Sequence, residues 1–279
     1  MPFVTHTQNG LVYLTSSLLD GCTQIAHGFS TRVGGVSAPP YDTLNLGVSR
    51  GDESACVREN YARFCGALGV ETRRVTLSQQ THSANVRRVA EADAGMGLWR
   101  RRAYREVDAL ITDVPELPLT VFSADCGTLL LWDPAGRSVG AVHAGWRGCA
   151  AGIAERTVSD MVRFYGADPA RLLAAVGPCI GPCCFETDSD VPEAMRAALG
   201  AEAEPYLSRR GRKWHVDLAG LNRLWLLRSG VLPEHIDLCG LCTACRPELF
   251  WSHRKMGDAR GAQAAMIAVK FSGPMEEDL

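Results

Sequence analysis

The stretch LPLTVFSADCGTLLLWDPAGRSVGAVHAGWRG, Leu117 to Gly148, decides how this chain reads. Its apolar runs Leu117–Ala124, Thr128–Trp132 and Ser138–His143 are each too short for a typical helix, and turn residues bound them, which predicts strands. Asp133-Pro134-Ala135-Gly136 joins the last two as a hairpin turn. Working outward, Asp108–Thr112 reads as a preceding strand. Gly152–Tyr165 reads as an amphipathic helix, with Ile153, Val158, Met161, Val162 and Tyr165 at helical spacing and Gly166 as its stop. Leu172–Val176, Ile236–Leu238 and Ala264–Val269 are further strands, and Asp190–Leu199 and Leu218–Arg228 further helices. Hairpins mixed with helices predict an α+β fold with mixed sheets rather than a doubly wound parallel sheet.

The chain has 279 residues with no internal repeat, low-complexity tract or Pro/Gly/Ser linker, so one domain over residues 1–279 is expected. Glu91–Arg105, Ala201–Lys213 and the acidic tail from Gly273 read as its least ordered parts, with Arg100, Arg101, Arg102 and Arg105 on a solvated loop. A balance of 29 Lys plus Arg against 31 Asp plus Glu gives a net charge of -2, which disfavours nucleic acid or an anionic membrane as a partner. No apolar run is long enough to span a bilayer and no basic leader opens the chain, so a cytoplasmic protein is expected. There, eleven cysteines read as reduced thiols.

Three segments place a metal-capable side chain among small residues: Gln79–Asn85 around His82, Ser123–Cys126, and Val142–Gly148 around His143. Cys126 and His143 sit at neighbouring ends of strands joined by the hairpin, and His82 arrives from elsewhere. Two imidazoles and a thiolate suit zinc, and three protein ligands leave a fourth position open for water or substrate. Copper accepts the same donors. The same residues also fit a hydrolase in which Cys126, activated by His82 or His143, is the nucleophile, or a core histidine with unrelated neighbours.

Other motifs carry less. Cys239, Cys242 and Cys245 are spaced C-x-x-C-x-x-C but lack the fourth cysteine of an iron–sulfur run, so buried thiols are expected. Pro178-Cys179-Ile180-Gly181-Pro182-Cys183 resembles half of a nucleobase deaminase signature, yet the cysteine spacing is wrong and no His-x-Glu occurs. Arg32-Val33-Gly34-Gly35 is a loop able to hold a phosphate, without the lysine motif of a nucleotide triphosphatase.

Taken in order, His27-Gly28-Phe29-Ser30-Thr31-Arg32-Val33-Gly34-Gly35, Leu44-Asn45-Leu46-Gly47, Gln80-Thr81-His82-Ser83, Asp108–Thr112, Ala124-Asp125-Cys126, His143-Ala144-Gly145-Trp146-Arg147-Gly148, Gly177-Pro178-Cys179-Ile180, Cys242-Thr243 and Phe250–Arg254 resemble the YfiH, YlmD and FAMIN family from His27 to about Arg260. Its members have been labelled laccase-like polyphenol oxidase, peptidoglycan editing factor and purine nucleoside phosphorylase. The resemblance implies a single α/β/β/α layered domain and a zinc on His82, Cys126 and His143 as the catalytic centre. It also implies phosphorolysis of adenosine, inosine and 5'-methylthioadenosine to the free base and the corresponding ribose 1-phosphate, with deamination of adenosine to inosine. Purine nucleosides and phosphate are then the partners. Arg32 and Arg147 are candidates for phosphate, Asn45 and Gln80 for ribose or base, and Asp125 for orienting a ligand or relaying a proton.

The laccase label fits poorly, because the seven histidines form no His-x-His pair. After His253-Arg254 the chain follows the family pattern only loosely, and Cys245 is an unexpected thiol. The cysteine hydrolase, or a peptidoglycan-precursor editing factor using the same Cys126 pocket, is the alternative.

Overall fold

The computed structural model describes residues 2–270. One six-stranded sheet runs edge to edge through Phe3–Gln8 (β1), Leu11–Ser16 (β2), Ile25–Ser30 (β3), Gln263–Val269 (β15), Leu119–Ser123 (β7) and Thr76–Leu77 (β4). The other runs through Ile236–Leu238 (β14), Leu173–Val176 (β10), Gly127–Asp133 (β8), Ser138–Ala144 (β9), Ala109–Thr112 (β6) and Val86–Arg88 (β5). Both are mixed: β4 pairs parallel with β7, β14 with β10 and β5 with β6, and the remaining pairs are antiparallel. A small third sheet orders Glu186–Thr187 (β11), Lys213–Val216 (β13) and Leu207–Arg210 (β12).

Alternation along the strands explains how the sheets stack. Successive side chains point to opposite faces, and in β8 Leu130 and Trp132 enter a core shared with Phe29, Val121 and Ile267 of the first sheet. Leu129 and Leu131 enter a second core beneath the helices. Strand β15 divides likewise, with Ala265, Ile267 and Val269 between the sheets. Its Ala264 and Met266 face Val57, Tyr61 and Phe64 of helix Ser54–Leu68 (α2), the short helix Ser17–Asp20 (α1) preceding it in the chain. Both faces of these strands are buried, so they read as unbroken apolar runs.

The outer layer on the second sheet holds Ile153–Tyr165 (α4) and Leu218–Arg228 (α6), with Trp146–Ala150 (α3) and Asp190–Leu199 (α5) beside them. His253–Met256 (α7) follows late in the chain. The order helix, sheet, sheet, helix is the expected α/β/β/α sandwich. Within α4 the buried positions are Ile153, Ala154, Thr157, Val158 and Met161. Val162, expected on that face, is exposed.

Two expectations of disorder are corrected. Ala201–Lys213 contributes a 3-10 turn, Gly200–Tyr206, and strand β12. Glu91–Arg105 opens with a 3-10 turn, Glu91–Asp93, and is anchored beyond it: Met96, Leu98 and Tyr104 are buried, and Leu77 O accepts from both the Tyr104 hydroxyl and Arg102 Nε. The tail from Gly273 lies outside the described residues. No helix among those described is long and apolar enough to cross a membrane.

Candidate metal centre and its two clefts

Cys126 immediately precedes β8, and the hairpin register pairs Gly127 with Ala144 and Thr128 with His143. Thiol and imidazole therefore meet at one end of the second sheet. Asp108, just ahead of β6, joins them because Ala109 pairs with Val142. Its carbonyl accepts the His143 backbone N–H at 2.7 Å, and its carboxylate lies 2.8 Å from His143 Nδ1. With Nδ1–H donated to Asp108, Nε2 is left to face Cys126.

The Asp108 carboxylate also organises the third segment. It accepts the backbone N–H groups of Thr81, His82 and Ser83 at 2.9–3.0 Å and the Ser83 hydroxyl at 2.7 Å. The loop thus wraps one buried anion, with His82 at φ 62° where it turns. His82 Nε2 stands 3.7 Å from Cys126 Sγ, the two imidazoles meet edge to face at 5.0 Å, and all three donor atoms lie within 4.8 Å of one another.

A tetrahedral zinc with Zn–N of about 2.0 Å and Zn–S of about 2.3 Å sets such donors about 3.3–3.5 Å apart, close to the 3.7 Å between His82 Nε2 and Cys126 Sγ, so the spacing fits one ion. Gly145 keeps the space clear: a Cβ there would come within 2.9 Å of both Cys126 Sγ and His82 Cδ2. A carboxylate behind a metal-facing histidine fixes its tautomer and strengthens it as a donor.

These groups bias one another's charge. Burial acts to raise the Cys126 thiol, but the His143 charge and hydrogen bond, with His82 assisting, bring it down to about 6. Burial acts to lower His143, and Cys126 and Asp108 outweigh it and lift the imidazole to about 9. Asp108 is held near 2, its burial outweighed by His143 and the loop donors. Both shifts favour the thiolate form of Cys126 and the protonated form of His143.

Two clefts adjoin here and share His82, Ala124, Cys126 and Arg260. One is the more polar of the two and includes Arg50, Gln79, Gln80 and Arg102. The other sets Trp146, Ile180 and Phe185 beside Arg147 and Arg254.

The remaining expected residues divide. Arg147 lines the second cleft with its guanidinium 4.2 Å over the Trp146 ring. Asp125 lines it too, its carboxylate accepting the Thr243 hydroxyl at 2.6 Å and the Arg254 backbone N–H at 2.7 Å. Gln80 lines the first cleft, but its amide is bonded to Phe122 N and O. Asn45 and Arg32 line neither cleft. Asn45 is buried and binds the backbone N–H groups of Gly47 and Ala262. Arg32 stacks 4.1 Å over Trp251 and donates to Asp42 and to Pro247 O.

Two residues escaped the sequence reading. Asp108 was legible as the polar head of an apolar strand and as part of a segment shared with the family, without a role. Arg260 lines both clefts with a buried Nε that has no hydrogen-bond partner among the described residues. Burial, with Arg50 repelling it, lowers its guanidinium to about 10. The expectation of buried thiols at Cys239, Cys242 and Cys245 is also corrected. Cys239 packs against the core between the sheets, but Cys245 is exposed and groups with Cys183, Cys184 and Cys242.

Residues 26–270 match the family described as multi-copper polyphenol oxidoreductase laccase. A purine nucleoside phosphorylase of Deinococcus radiodurans is 41% identical over 246 residues, spanning 88% of this chain and 89% of its own. Purine nucleoside phosphorylase YlmD of Geobacillus stearothermophilus is 35% identical over 252 residues, 90% of each chain. The crystal structure of the Bacillus licheniformis hypothetical protein YfiH superposes with a TM-score of 0.90 at 31% identity, covering 96% of this chain and 99% of that one.

Proposed function

The chain belongs to the multi-copper polyphenol oxidoreductase laccase family, and from its curated relatives' names we propose that it is a purine nucleoside phosphorylase with zinc held by His82, Cys126 and His143. The observation that carries this is a three-donor centre lying between two clefts, each lined by arginine. Residues 1–279 act as one catalytic domain. Zinc bound there would supply a Lewis acid with one open position. A multicopper oxidase needs many converging histidines, whereas two converge at this centre among the described residues, which supports a single ion there.

In phosphorolysis a phosphate oxygen bonds to C1' as the C1'–N9 bond breaks, and its electron pair leaves with the purine, which takes up a proton. Adenosine and inosine then yield free base and ribose 1-phosphate, and 5'-methylthioadenosine yields adenine and 5-methylthioribose 1-phosphate. Arg147 and Arg260 hold the phosphate through charge-assisted hydrogen bonds. Trp146, Ile180 and Phe185 give the base an apolar surface that excludes water. The remaining residues position the site. Asn45 fixes Gly47 and Ala262 at the first cleft, Gln80 ties the His82 loop to β7, and Asp125 braces the turn carrying Cys126. Arg32 holds the loop at Asp42 and Pro247. The same centre deaminates adenosine to inosine, water adding at C6 and ammonia leaving.

The test incubates adenosine with and without phosphate and a zinc chelator, separating adenine, inosine and hypoxanthine by chromatography. Phosphate-dependent adenine, lost with chelator and in Cys126→Ala, is expected, and absence of turnover by zinc-loaded protein overturns the reading. Arg147→Ala and Arg260→Ala each raise the phosphate KM about tenfold, the loss of one charge-assisted hydrogen bond. The thiolate–imidazolium pair of Cys126 and His143 favours one rival, a cysteine hydrolase. That activity would survive the chelator and be lost on thiol alkylation.

A further inference from the structure

Two turns remote in sequence bring four cysteines together. Cys183 and Cys184 lie in the turn that closes from Cys184 N–H to Gly181 O, and Cys242 and Cys245 lie in the turn whose Thr243 N–H bonds Cys179 O. Their four sulfurs lie within 4.8 Å of one another, with Cys245 Sγ 3.5 Å from Cys183 Sγ and 3.4 Å from Cys184 Sγ.

These separations are far beyond a disulfide bond of about 2.05 Å. They match a tetrahedral ion, whose thiolates at about 2.3 Å stand about 3.8 Å from each other. A cluster of several irons would seat each thiolate on its own metal and spread them wider. A backbone N–H, from Gly181, donates to Cys242 Sγ at 3.2 Å, the outer-shell bond that stabilises a bound thiolate.

We infer that Cys183, Cys184, Cys242 and Cys245 hold a second zinc ion in a closed, structural four-thiolate site, separate from the centre at Cys126. The clasp braces the catalytic turn from behind. Thr243, between two of the ligands, donates to Asp125, and Arg254 bonds the carbonyl of Cys184 while its own N–H reaches Asp125. Four protein sulfurs leave no open position, so the ion supplies rigidity rather than chemistry.

The test measures zinc per chain in anaerobically purified protein, alongside cobalt reconstitution of the metal-stripped chain. Two zinc ions per chain are expected in the wild type and one in the Cys183→Ser/Cys245→Ser double variant. The cobalt form should show the intense near-ultraviolet thiolate charge-transfer absorption of a four-sulfur site, retained in His82→Ala, where the other centre is broken. The wild-type spectrum does not depend on any variant folding. Zinc content unchanged in the double variant, a cobalt spectrum without four-thiolate absorption, or a disulfide among these cysteines overturns the assignment. None of these readouts depends on nucleoside turnover.

Discussion

Each large sheet buries one histidine, and the two are used in opposite ways. His27 in β3 and His143 in β9 are 6% and 3% exposed. His27 Nε2 accepts the Ser16 backbone N–H at 3.0 Å, which requires that nitrogen to be unprotonated, and Asp20 stands off at 3.8 Å. Burial then holds the imidazole down at about 4. His143 donates to a buried carboxylate and faces a thiolate, and is lifted to about 9. Equal burial gives opposite charge, so the neighbour, not the depth, decides whether a histidine is core or site. Asp108 can be that neighbour only because three backbone N–H groups already neutralise it.

The contrast is broken most severely by His143→Ala, which removes a ligand and the thiolate's partner. Phosphorolysis should fall by about 10³-fold or more, read from initial rates with adenosine and phosphate. Asp108→Asn keeps the shape and removes the charge, leaving His143 as a ligand held less firmly. A loss of about 10–100-fold in zinc affinity, measured by competition with a chromogenic chelator, is expected. Unchanged affinity would mean that the loop wraps Asp108 for folding alone.

His27→Gln sharpens the comparison from the other side, and its neutral-pH activity should stay within about twofold of wild type. Its effect lies in acid. The unfolded chain binds a proton at His27 near 6.5, which the native state refuses until about 4. The unfolded state therefore holds more protons in that window, and stability falls as pH drops through it. Unfolding free energies from urea titrations should fall by about 2–3 kcal/mol more between pH 7 and 4 in wild type than in His27→Gln.

The second sheet was legible because its strands are apolar on both faces and its turns are marked by Pro and Gly, so the Asp133–Gly136 hairpin by itself sets Cys126 beside His143. The first sheet was harder. Strand β1 has four of six residues exposed, and α2 sets Val57, Tyr61 and Phe64 among charges without a capping side chain at its start. Strand β12 shows three exposed residues in a row and reads as loop. Asp108 and Arg260 were missed because their roles arise from contacts with remote segments. The cysteine clasp was missed for the same reason, its two pairs being adjacent only once β10 and β14 are side by side.

Strand β15 lies in the middle of its sheet, between β3 and β7. It follows every strand of the second sheet in the chain, so β3 and β7 are bridged only after those strands have been made. Arg260 and Ala262 emerge just ahead of that strand, and Ala262 docks on Asn45 as it pairs. The cleft therefore gains its buried arginine in the same step that bridges β3 and β7, so closing the sandwich and completing the site are one event.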